Sequence, residues 1–282
     1  MAPQPASRVV LVTGCSSGIG RALAVEWARR GHRVFATARS RERMPPFDAP
    51  GVEVLPLDVT NRASIEAAVA EAVRRAGRID VLVNNAGYGL MGPVMDAPPD
   101  ELRRQFATNV FGAMDVARAV VPHLLGQGHG MVVNVGSVSG LLATPFAGAY
   151  CASKAALHSL TDAMRLELEP LGVTVVSLQP GAVASRFGET SSSGVRMLDL
   201  DASPHARIRS FIEARANTSQ QDAMPAEAFA RRVVDALSRP NPPRILRVGT
   251  RCVQMPLLRW LLPRAVTDAM LRRRFGLDRL RK

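Results

Sequence analysis

Short apolar runs rich in valine alternate along the chain with longer amphipathic segments, and this alternation restricts the fold more than any other feature. Runs of this length suit strands buried on both faces of a sheet, and the segments between them suit crossover helices. Strands are predicted over Arg8 to Thr13, His32 to Thr37, Gly51 to Leu57, Ile79 to Val83, Met131 to Gly136, Val173 to Gln179 and Arg244 to Val248. Helices are predicted over Ile19 to Arg30, Ala63 to Ala76, Pro99 to Leu125, Ala149 to Leu171 and Ala226 to Ser238. The pattern predicts an α/β fold whose parallel sheet carries helices on both faces.

Length and composition favour one domain over residues 1–282. No apolar run reaches the roughly 18 residues that cross a bilayer, and the start, Met1 to Pro5, has no signal-peptide pattern. We therefore expect a cytoplasmic protein. The three cysteines, Cys15, Cys151 and Cys252, lie far apart without metal-ligand spacing, so we expect neither a disulfide nor a metal site.

The formal charge of +12 is concentrated near the C-terminus. Up to Pro243 there are 25 basic and 22 acidic side chains, whereas from Arg244 onward 11 basic residues face 2 acidic ones. A basic segment over 250–282 can be a solvated or domain-covering face, a weak peripheral contact with acidic lipids, or a nucleic-acid surface. Because no aromatic interleaving or base-reading motif accompanies the charge, we expect no nucleic-acid partner and favour the solvated face.

A glycine-rich turn directly follows the first predicted strand and opens the first predicted helix. It reads Thr13-Gly14-Cys15-Ser16-Ser17-Gly18-Ile19-Gly20. In this context, backbone N–H groups and a helix N-terminus meet at one point, where they bind a pyrophosphate. Glycine suits the turn because a Cβ would block either the tight turn or the approach of the phosphate. The turn predicts a dinucleotide site on a doubly wound, Rossmann-like domain with about seven parallel strands.

The end of the second predicted strand bears on the choice of cofactor. A site for NAD usually places a carboxylate there against the ribose 2′-hydroxyl, but the segment reads Ala36-Thr37-Ala38-Arg39-Ser40. Arg39 would face a 2′-phosphate with a permanently charged fork, and Ser17 would add a hydrogen bond. NADP(H) is therefore predicted as the cofactor over NAD, with Arg39 as an ordinary surface arginine as the alternative.

A tyrosine and a lysine lie four residues apart in Tyr150-Cys151-Ala152-Ser153-Lys154. On a helix this spacing places both side chains on one face, about one turn apart. A nearby ammonium stabilises a phenolate, so we expect Lys154 to lower the pKa of Tyr150. The chain has only two lysines and two tyrosines but 34 arginines, which makes a chance pairing rare. The pair predicts proton transfer by Tyr150.

These motifs resemble the short-chain dehydrogenase/reductase family, and the resemblance extends over the whole chain. By resemblance, Ser137, thirteen residues before Tyr150, orients the substrate oxygen, and Asn109 holds a water that links Lys154 to solvent. The reaction implied is reversible hydride transfer between the nicotinamide and an alcohol or its carbonyl. The resemblance also implies a homodimer or homotetramer, formed through the helices Pro99 to Leu125 and Ala149 to Leu171. The full set of residues expected to bind the cofactor is Gly14, Ser16, Ser17, Gly18, Ile19, Gly20, Arg39, Asp58, Val59, Asn85, Ala86, Gly87, Tyr150, Lys154, Pro180, Gly181, Val183 and Ser185.

Within the family, the motifs are most similar to the branch of 17β-hydroxysteroid dehydrogenase type 1 and retinol dehydrogenase. That resemblance implies a hydrophobic alcohol and its ketone or aldehyde, steroid- or retinoid-like. The Ser-rich insertion over 185–224, the segment Leu141 to Phe146 and the Trp260 region would enclose it, and His205 is a candidate contact. Two alternatives stay open for these segments, since the insertion can be a disordered loop and His205 an ordinary loop histidine.

A different class of function is a non-catalytic, NADP(H)-sensing regulatory protein on the same fold. Loss of the tyrosine or the lysine would indicate such a protein. Both are present, together with Ser137 and Asn109, so catalysis is the favoured interpretation.

Overall fold

Seven parallel strands form a single sheet in the computed structural model, which describes residues 7–42, 44–196 and 198–280. The spatial order is β3-β2-β1-β4-β5-β6-β7. Their bounds are β1 Val9–Val12, β2 Arg33–Ala38, β3 Val52–Pro56, β4 Val81–Asn84, β5 Gly130–Val135, β6 Val173–Pro180 and β7 Ile245–Val248. The predicted single α/β domain with a parallel seven-stranded sheet is confirmed, and each predicted strand agrees with an observed one to within one or two residues.

Helices cover both faces of the sheet. Those between β1 and β7 are α1 Gly18–Arg29, α2 Arg62–Ala76, α3 Pro99–Phe106, α4 Gly112–Gln127, α5 Gly148–Leu168, α6 Phe187–Arg196, α7 Arg209–Asn217 and α8 Ala226–Leu237. Two more follow β7, α9 Gln254–Leu261 and α10 Arg264–Arg274. No helix of the described residues is long and apolar enough to cross a membrane.

The core has two layers because side chains alternate along each strand. On β1, Val10 and Val12 pack against α1 and α8, where Trp27 and Phe229 are fully buried. Leu11 points to the opposite face, into the layer that α2, α4 and α5 complete. Burial on both faces explains why the strands are continuous apolar runs and why helices flank the sheet on each side.

The helix predicted over Pro99 to Leu125 is interrupted. Between α3 and α4, residues Ala107–Phe111 form a π-helical turn. Asn109 lies within this turn and is almost completely buried, and its amide bonds to the backbone of Tyr88. The apolar period of the segment does not reveal the wider turn, since it is stabilised by a contact distant in sequence. Such turns are frequent at functional sites.

Two segments are more regular than the sequence indicated. The insertion over 185–224 contains α6 and α7, and Ile208 and Ile212 are at most 1% exposed in a third apolar cluster, which contradicts a disordered loop. The basic extension forms α9 and α10, although its last two residues, Arg281 and Lys282, lie outside the described residues. The apolar side chains of the insertion pack on the domain, where Ile208 and Ile212 join the third cluster with Phe146, Tyr150 and Phe275.

Candidate active site

A cleft of about 1320 Å³ opens at the carboxyl ends of the strands, next to the β1–β4 junction where the strand order reverses. Ligands of doubly wound folds bind at this position. The cleft brings together the predicted catalytic and cofactor-binding residues, of which only Gly20 and Asn109 are not part of its wall. The predicted residues that line it are Gly14, Ser16, Ser17, Gly18, Ile19, Arg39, Asp58, Val59, Asn85, Ala86, Gly87, Ser137, Tyr150, Lys154, Pro180, Gly181, Val183 and Ser185.

The glycine turn is held against the end of β4 by a small hydrogen-bond network. The hydroxyl oxygen of Thr13 accepts the backbone N–H groups of Asn85 and Ala86, at 3.0 Å each. In return, the Asn85 amide donates to the carbonyl oxygens of Thr13 and Gly14. A Cβ on Gly20 would lie 2.5 Å from the Gly14 carbonyl oxygen. Gly20 thus permits the close packing of α1 on the turn, and its contact with the cofactor stays a prediction.

The turn forms a cradle that suits a pyrophosphate. Gly14 has a φ of +73°, and a Cβ there would lie 2.8 Å from the Ala86 backbone and fill the space. The N-terminus of α1 opens at this point, and the side chain of its N-cap, Ser17, caps no backbone N–H. Free donors around a concave glycine surface fit the dinucleotide that the sequence predicts.

Two predicted residues stand at the opposite end of the cradle. Arg39 is exposed at the end of β2 and lines the cleft. Asp58 also lines it, but its carboxylate accepts both the backbone N–H and the hydroxyl of Thr60. Asp58 therefore stabilises the turn before α2.

Tyr150 and Lys154 lie one turn apart on α5 and meet Ser137, which follows β5. The hydroxyl of Ser137 lies close enough to that of Tyr150 to lower its pKa. Lys154 Nζ donates to the carbonyl oxygen of Val135 at 2.8 Å and lies 6.0 Å from the centroid of the Tyr150 ring. Ser137, not Ser139, is the serine in contact with Tyr150, as the thirteen-residue spacing predicts.

The pKa values at this site differ from the sequence-based expectation. Burial raises the pKa of Tyr150 to about 12, although the hydrogen bond from Ser137 opposes the rise. Burial also lowers the pKa of Lys154 to about 8. Desolvation of the phenolate therefore outweighs any lowering of the Tyr150 pKa by Lys154. Tyr150 is therefore protonated at neutral pH, as a general acid requires.

Asn109 is buried outside the wall of the cleft and bonds to the segments that flank it. Its side-chain oxygen accepts the backbone N–H of Tyr88 at 3.0 Å. Its amide nitrogen donates to the Tyr88 carbonyl oxygen and to the hydroxyl of Ser153, the residue before Lys154. These bonds tie the π turn to α5, so that Asn109 is adjacent to Lys154 without lining the cleft. Its role in holding a water stays a prediction.

Comparison with known proteins agrees with this geometry. A sequence model described as short chain dehydrogenase matches residues 8–195. The chain belongs to the short-chain dehydrogenase family. It is 34% identical over 276 residues to a short-chain dehydrogenase/reductase of Pestalotiopsis microspora, covering 97% of this chain and 96% of the relative. It is also 30% identical to the 3-ketodihydrosphingosine reductase of Bacteroides thetaiotaomicron, covering 86% of this chain and 88% of that protein.

Solved structures of short-chain dehydrogenases have the same fold. One from Streptomyces avermitilis superposes with a TM-score of 0.77 at 29% identity, covering 99% of both chains. A Burkholderia phymatum structure in complex with NAD has a TM-score of 0.76 at 25% identity, covering 89% and 92%. A Burkholderia cenocepacia structure in complex with NADP has a TM-score of 0.73 at 25% identity, covering 94% and 97%. This short-chain dehydrogenase is an oxidoreductase that acts on CH–OH groups.

Two further residues of this dehydrogenase, one in contact with Ser137 and one close to Tyr150, were not predicted from the sequence. His158, four residues after Lys154 on α5, is buried, and its Nε2 accepts the backbone N–H of Ser137 at 3.3 Å. Burial lowers the pKa of His158 to about 4, which keeps this nitrogen an acceptor. The spacing of Tyr150, Lys154 and His158 along one helix face could have identified it. Arg215 on α7, which also lines the cleft, has no comparable signal in the sequence.

His205 and the Trp260 region differ in their relation to the cleft. His205 stands edge-on to Phe146 at 5.9 Å between ring centroids and is not among the residues that line the cleft. Trp260 is 82% exposed, whereas Leu258 on the other side of α9 faces the cleft. Of the segment Leu141 to Phe146, Leu142 and Thr144 reach the wall. Among the described residues there is no cluster of three or more metal-ligating side chains, and the cysteines are unpaired.

Proposed function

We propose that this short-chain dehydrogenase uses NADP(H) to interconvert a hydrophobic alcohol and its ketone or aldehyde, with Tyr150 as the general acid and base. The observation that carries the proposal is that Tyr150, Lys154 and Ser137 line the same cleft as the glycine cradle, with Lys154 Nζ 6.0 Å from the centroid of the Tyr150 ring. A regulatory protein that only senses the cofactor has no need for a proton donor at this position, so the catalytic interpretation is preferred.

The proposed reduction needs one hydride and one proton at the carbonyl group. When bound, the reduced nicotinamide supplies the hydride to the carbonyl carbon. Tyr150 donates its proton to the carbonyl oxygen and is left as a phenolate, which the ammonium of Lys154 stabilises. The hydroxyl of Ser137 donates a hydrogen bond to the same oxygen while negative charge develops on it. In the reverse direction, the phenolate accepts the proton of the alcohol.

The wall beyond Tyr150 supports an apolar substrate, in keeping with the steroid- or retinoid-like class. Phe187, the first residue of α6, lies 5.1 Å from the Tyr150 ring, measured between centroids. This contact shields the phenol from water and favours its neutral form. The insertion over 185–224 therefore covers the site in the proposed function. Other apolar residues of the wall are Leu90, Met91, Leu142, Leu258, Leu271 and Phe275.

The proposed preference for NADP(H) predicts a change of cofactor in Arg39→Asp. With a panel of apolar ketones and aldehydes, we expect wild type to have the higher kcat/KM with NADPH. In the variant, kcat/KM with NADPH is expected to fall about 100-fold, because a carboxylate replaces the cation that faces the 2′-phosphate. Nicotinamide absorbance, followed at a series of NADPH and NADH concentrations, gives kcat and KM for each cofactor.

Arg41→Asp provides the matched control for Arg39→Asp. Arg41 is exposed two residues further along the chain, and the substitution changes the net charge equally. We expect its kcat/KM with NADPH to stay within about twofold of wild type. If wild type prefers NADH, the assignment of Arg39 is wrong; if no carbonyl compound of any class is reduced with either cofactor, the proposed activity is wrong.

A weak peripheral contact with acidic membranes is the second proposal, supported by the outer face of α9. Leu257 is 49% exposed, Trp260 82% and Leu261 56%, and Val253 continues this apolar row one turn earlier. Exposed arginines of the adjacent α10 add positive charge. Two copies of so basic a segment would repel each other, so an anionic lipid surface suits this face better than a second copy of the chain.

The membrane proposal predicts that wild type co-sediments with phosphatidylcholine vesicles only when they contain phosphatidylserine. Trp260→Ser combined with Leu257→Ser is expected to weaken this binding about tenfold or more, because two apolar side chains no longer insert. Leu171→Ser, which removes a side chain that is 56% exposed at another place, is the control and should bind like wild type. Equal binding by all three proteins would contradict the proposal.

The homodimer or homotetramer and the cytoplasmic location stay predictions. Phe111 and Leu166, which are 59% and 67% exposed, lie at the start of α4 and on α5, the segments expected to meet in an oligomer. Apolar side chains exposed on these segments are compatible with such an interface.

A further inference from the structure

Arg215 is a buried cation in the substrate half of the cleft. It lies on α7 of the insertion over 185–224 and is only 8% exposed, yet it lines the cleft together with Tyr150. Two of its nitrogens, Nε and Nη2, donate to the hydroxyl oxygen of Thr144, at 3.3 Å and 3.0 Å. Arg215 is one of the charged groups that act on Tyr150, and it belongs to the insertion and not to the glycine turn.

The charge of this guanidinium has no counterpart. A buried arginine remains protonated, and burial of an unpaired charge is costly unless a carboxylate or another anion accompanies it. Among the described residues, no carboxylate forms an ion pair with Arg215. Its partner, Thr144, is neutral, and its charged neighbour, Arg274, has the same sign. Tyr150, a neighbouring titratable group, is a neutral phenol at pH 7, because burial raises its pKa to about 12.

The shape of the guanidinium also leaves donors unused. Arginine has five N–H donors in a planar fork, of which Thr144 accepts from two nitrogens. No acceptor among the described residues is found for Nη1. A carboxylate is the anion that a planar fork of this kind holds with two parallel hydrogen bonds. Arg274, exposed on α10, lines the same cleft and increases the positive potential there.

We propose that Arg215 binds a carboxylate of the substrate, so that the substrate is an apolar oxo-carboxylic acid and not a neutral ketone. This inference rests on the proposed carbonyl reduction and narrows its substrate class. Thr144 holds the guanidinium in place, the apolar wall contacts the body of the substrate, and Tyr150 and Ser137 meet the carbonyl oxygen. Arg215 is thus a specificity-determining residue, which orients the acid in the cleft through its anionic end.

The test compares oxo acids with their methyl esters, which have the same apolar body and carbonyl group but no charge. The probes are saturated fatty acids with one oxo group at different distances from the carboxylate, reduced with saturating NADPH. For the best acid, wild type is expected to have a kcat/KM at least about 10-fold above that of its ester. Arg215→Met should lower kcat/KM for the acid about 100-fold and change that for the ester less than about threefold. Arg215→Lys, which keeps the charge without the fork, should be intermediate for the acid.

Arg207→Met is the matched control, because Arg207 is an exposed arginine of the same insertion. It should retain wild-type selectivity for the acid. Equal losses for acid and ester in Arg215→Met, with the melting temperature and NADPH affinity retained, would mean that Arg215 only positions the insertion. Equal kcat/KM values of wild type for an oxo acid and its methyl ester would lead to the same conclusion.

A binding measurement separates this inference from the activity on which it rests. In calorimetry with the NADP⁺-loaded protein, decanoate should bind to wild type but not to Arg215→Met, and decanamide should bind to neither with measurable heat. Decanoate binding without reduction of any carbonyl compound would overturn the proposed activity and leave the anion site standing. Equal binding of decanoate and decanamide would overturn the anion site.

Discussion

Tyr150→Phe is expected to lower kcat for carbonyl reduction at least about 1000-fold, because the variant has no proton to give to the carbonyl oxygen. The phenyl ring keeps the packing on Phe187, whose ring centroid lies 5.1 Å away. We therefore expect the melting temperature and the dissociation constant of NADPH to change little. Steady-state reduction, followed by nicotinamide absorbance, and fluorescence titration with NADPH measure the two effects separately.

Tyr88→Phe is the natural control, since Tyr88 is the only other tyrosine of the chain. It removes the same hydroxyl from a side chain that is not bonded to Ser137, and kcat should remain within about threefold of wild type. Comparable losses in the two variants would show that the hydroxyl of Tyr150 is not the proton donor.

Lys154→Met is expected to lower kcat/KM for carbonyl reduction about 100-fold and to change its pH profile. In wild type, the pKa of Lys154 is lowered to about 8 by burial, whereas that of Tyr150 is raised to about 12. Between these values the acid stays protonated but Lys154 loses its charge. Reduction should therefore be independent of pH below 8 and decline above it, where the phenolate left by Tyr150 has no cation to stabilise it.

Lys154→Met removes the ammonium that titrates near pH 8, and methionine fills nearly the same volume as lysine. Its slower reduction should be independent of pH between 6 and 10, apart from effects of the cofactor. The measurement is kcat/KM across that range with wild type and variant in parallel. A decline above pH 8 that persists in Lys154→Met would assign the titration to a different group. Because a neutral tyrosine is the acid for reduction, oxidation of the alcohol should instead accelerate as the pH rises.

The residues that were predicted correctly have their determinants close together in the sequence. The valine-rich strands, the glycine turn and the four-residue spacing of Tyr150 and Lys154 each involve one strand, one turn or one helix face, so that local geometry relates pattern to structure. Ser137 belongs to the same group, because the end of β5 places it opposite α5. Within the glycine turn, Gly14 forms the cradle and Gly20 permits close packing against the Gly14 carbonyl oxygen.

The residues that were missed depend on contacts between distant segments. Neither the π turn around Asn109 nor the bond from His158 to the backbone of Ser137 follows from apolar periodicity, since each requires a partner from a different element. The helices α9 and α10 were missed because their apolar side chains are shared between the cleft and solvent. A disordered loop was one alternative for the insertion over 185–224, whereas Ile212 of this segment is fully buried in the structure.

The sequence by itself determined the α/β architecture, the dinucleotide cradle and the pairing of Tyr150 with Lys154. It did not determine the burial, the pKa values or the charge of the groups at the site. The pKa of Tyr150 is set by desolvation, which depends on Phe187 and the other residues that the insertion brings over α5. The unpaired charge of Arg215 beside Tyr150 exists only because α7 folds back onto Thr144. Burial and charge at the site are properties of many segments packed together, and for that reason only the tertiary structure decided them.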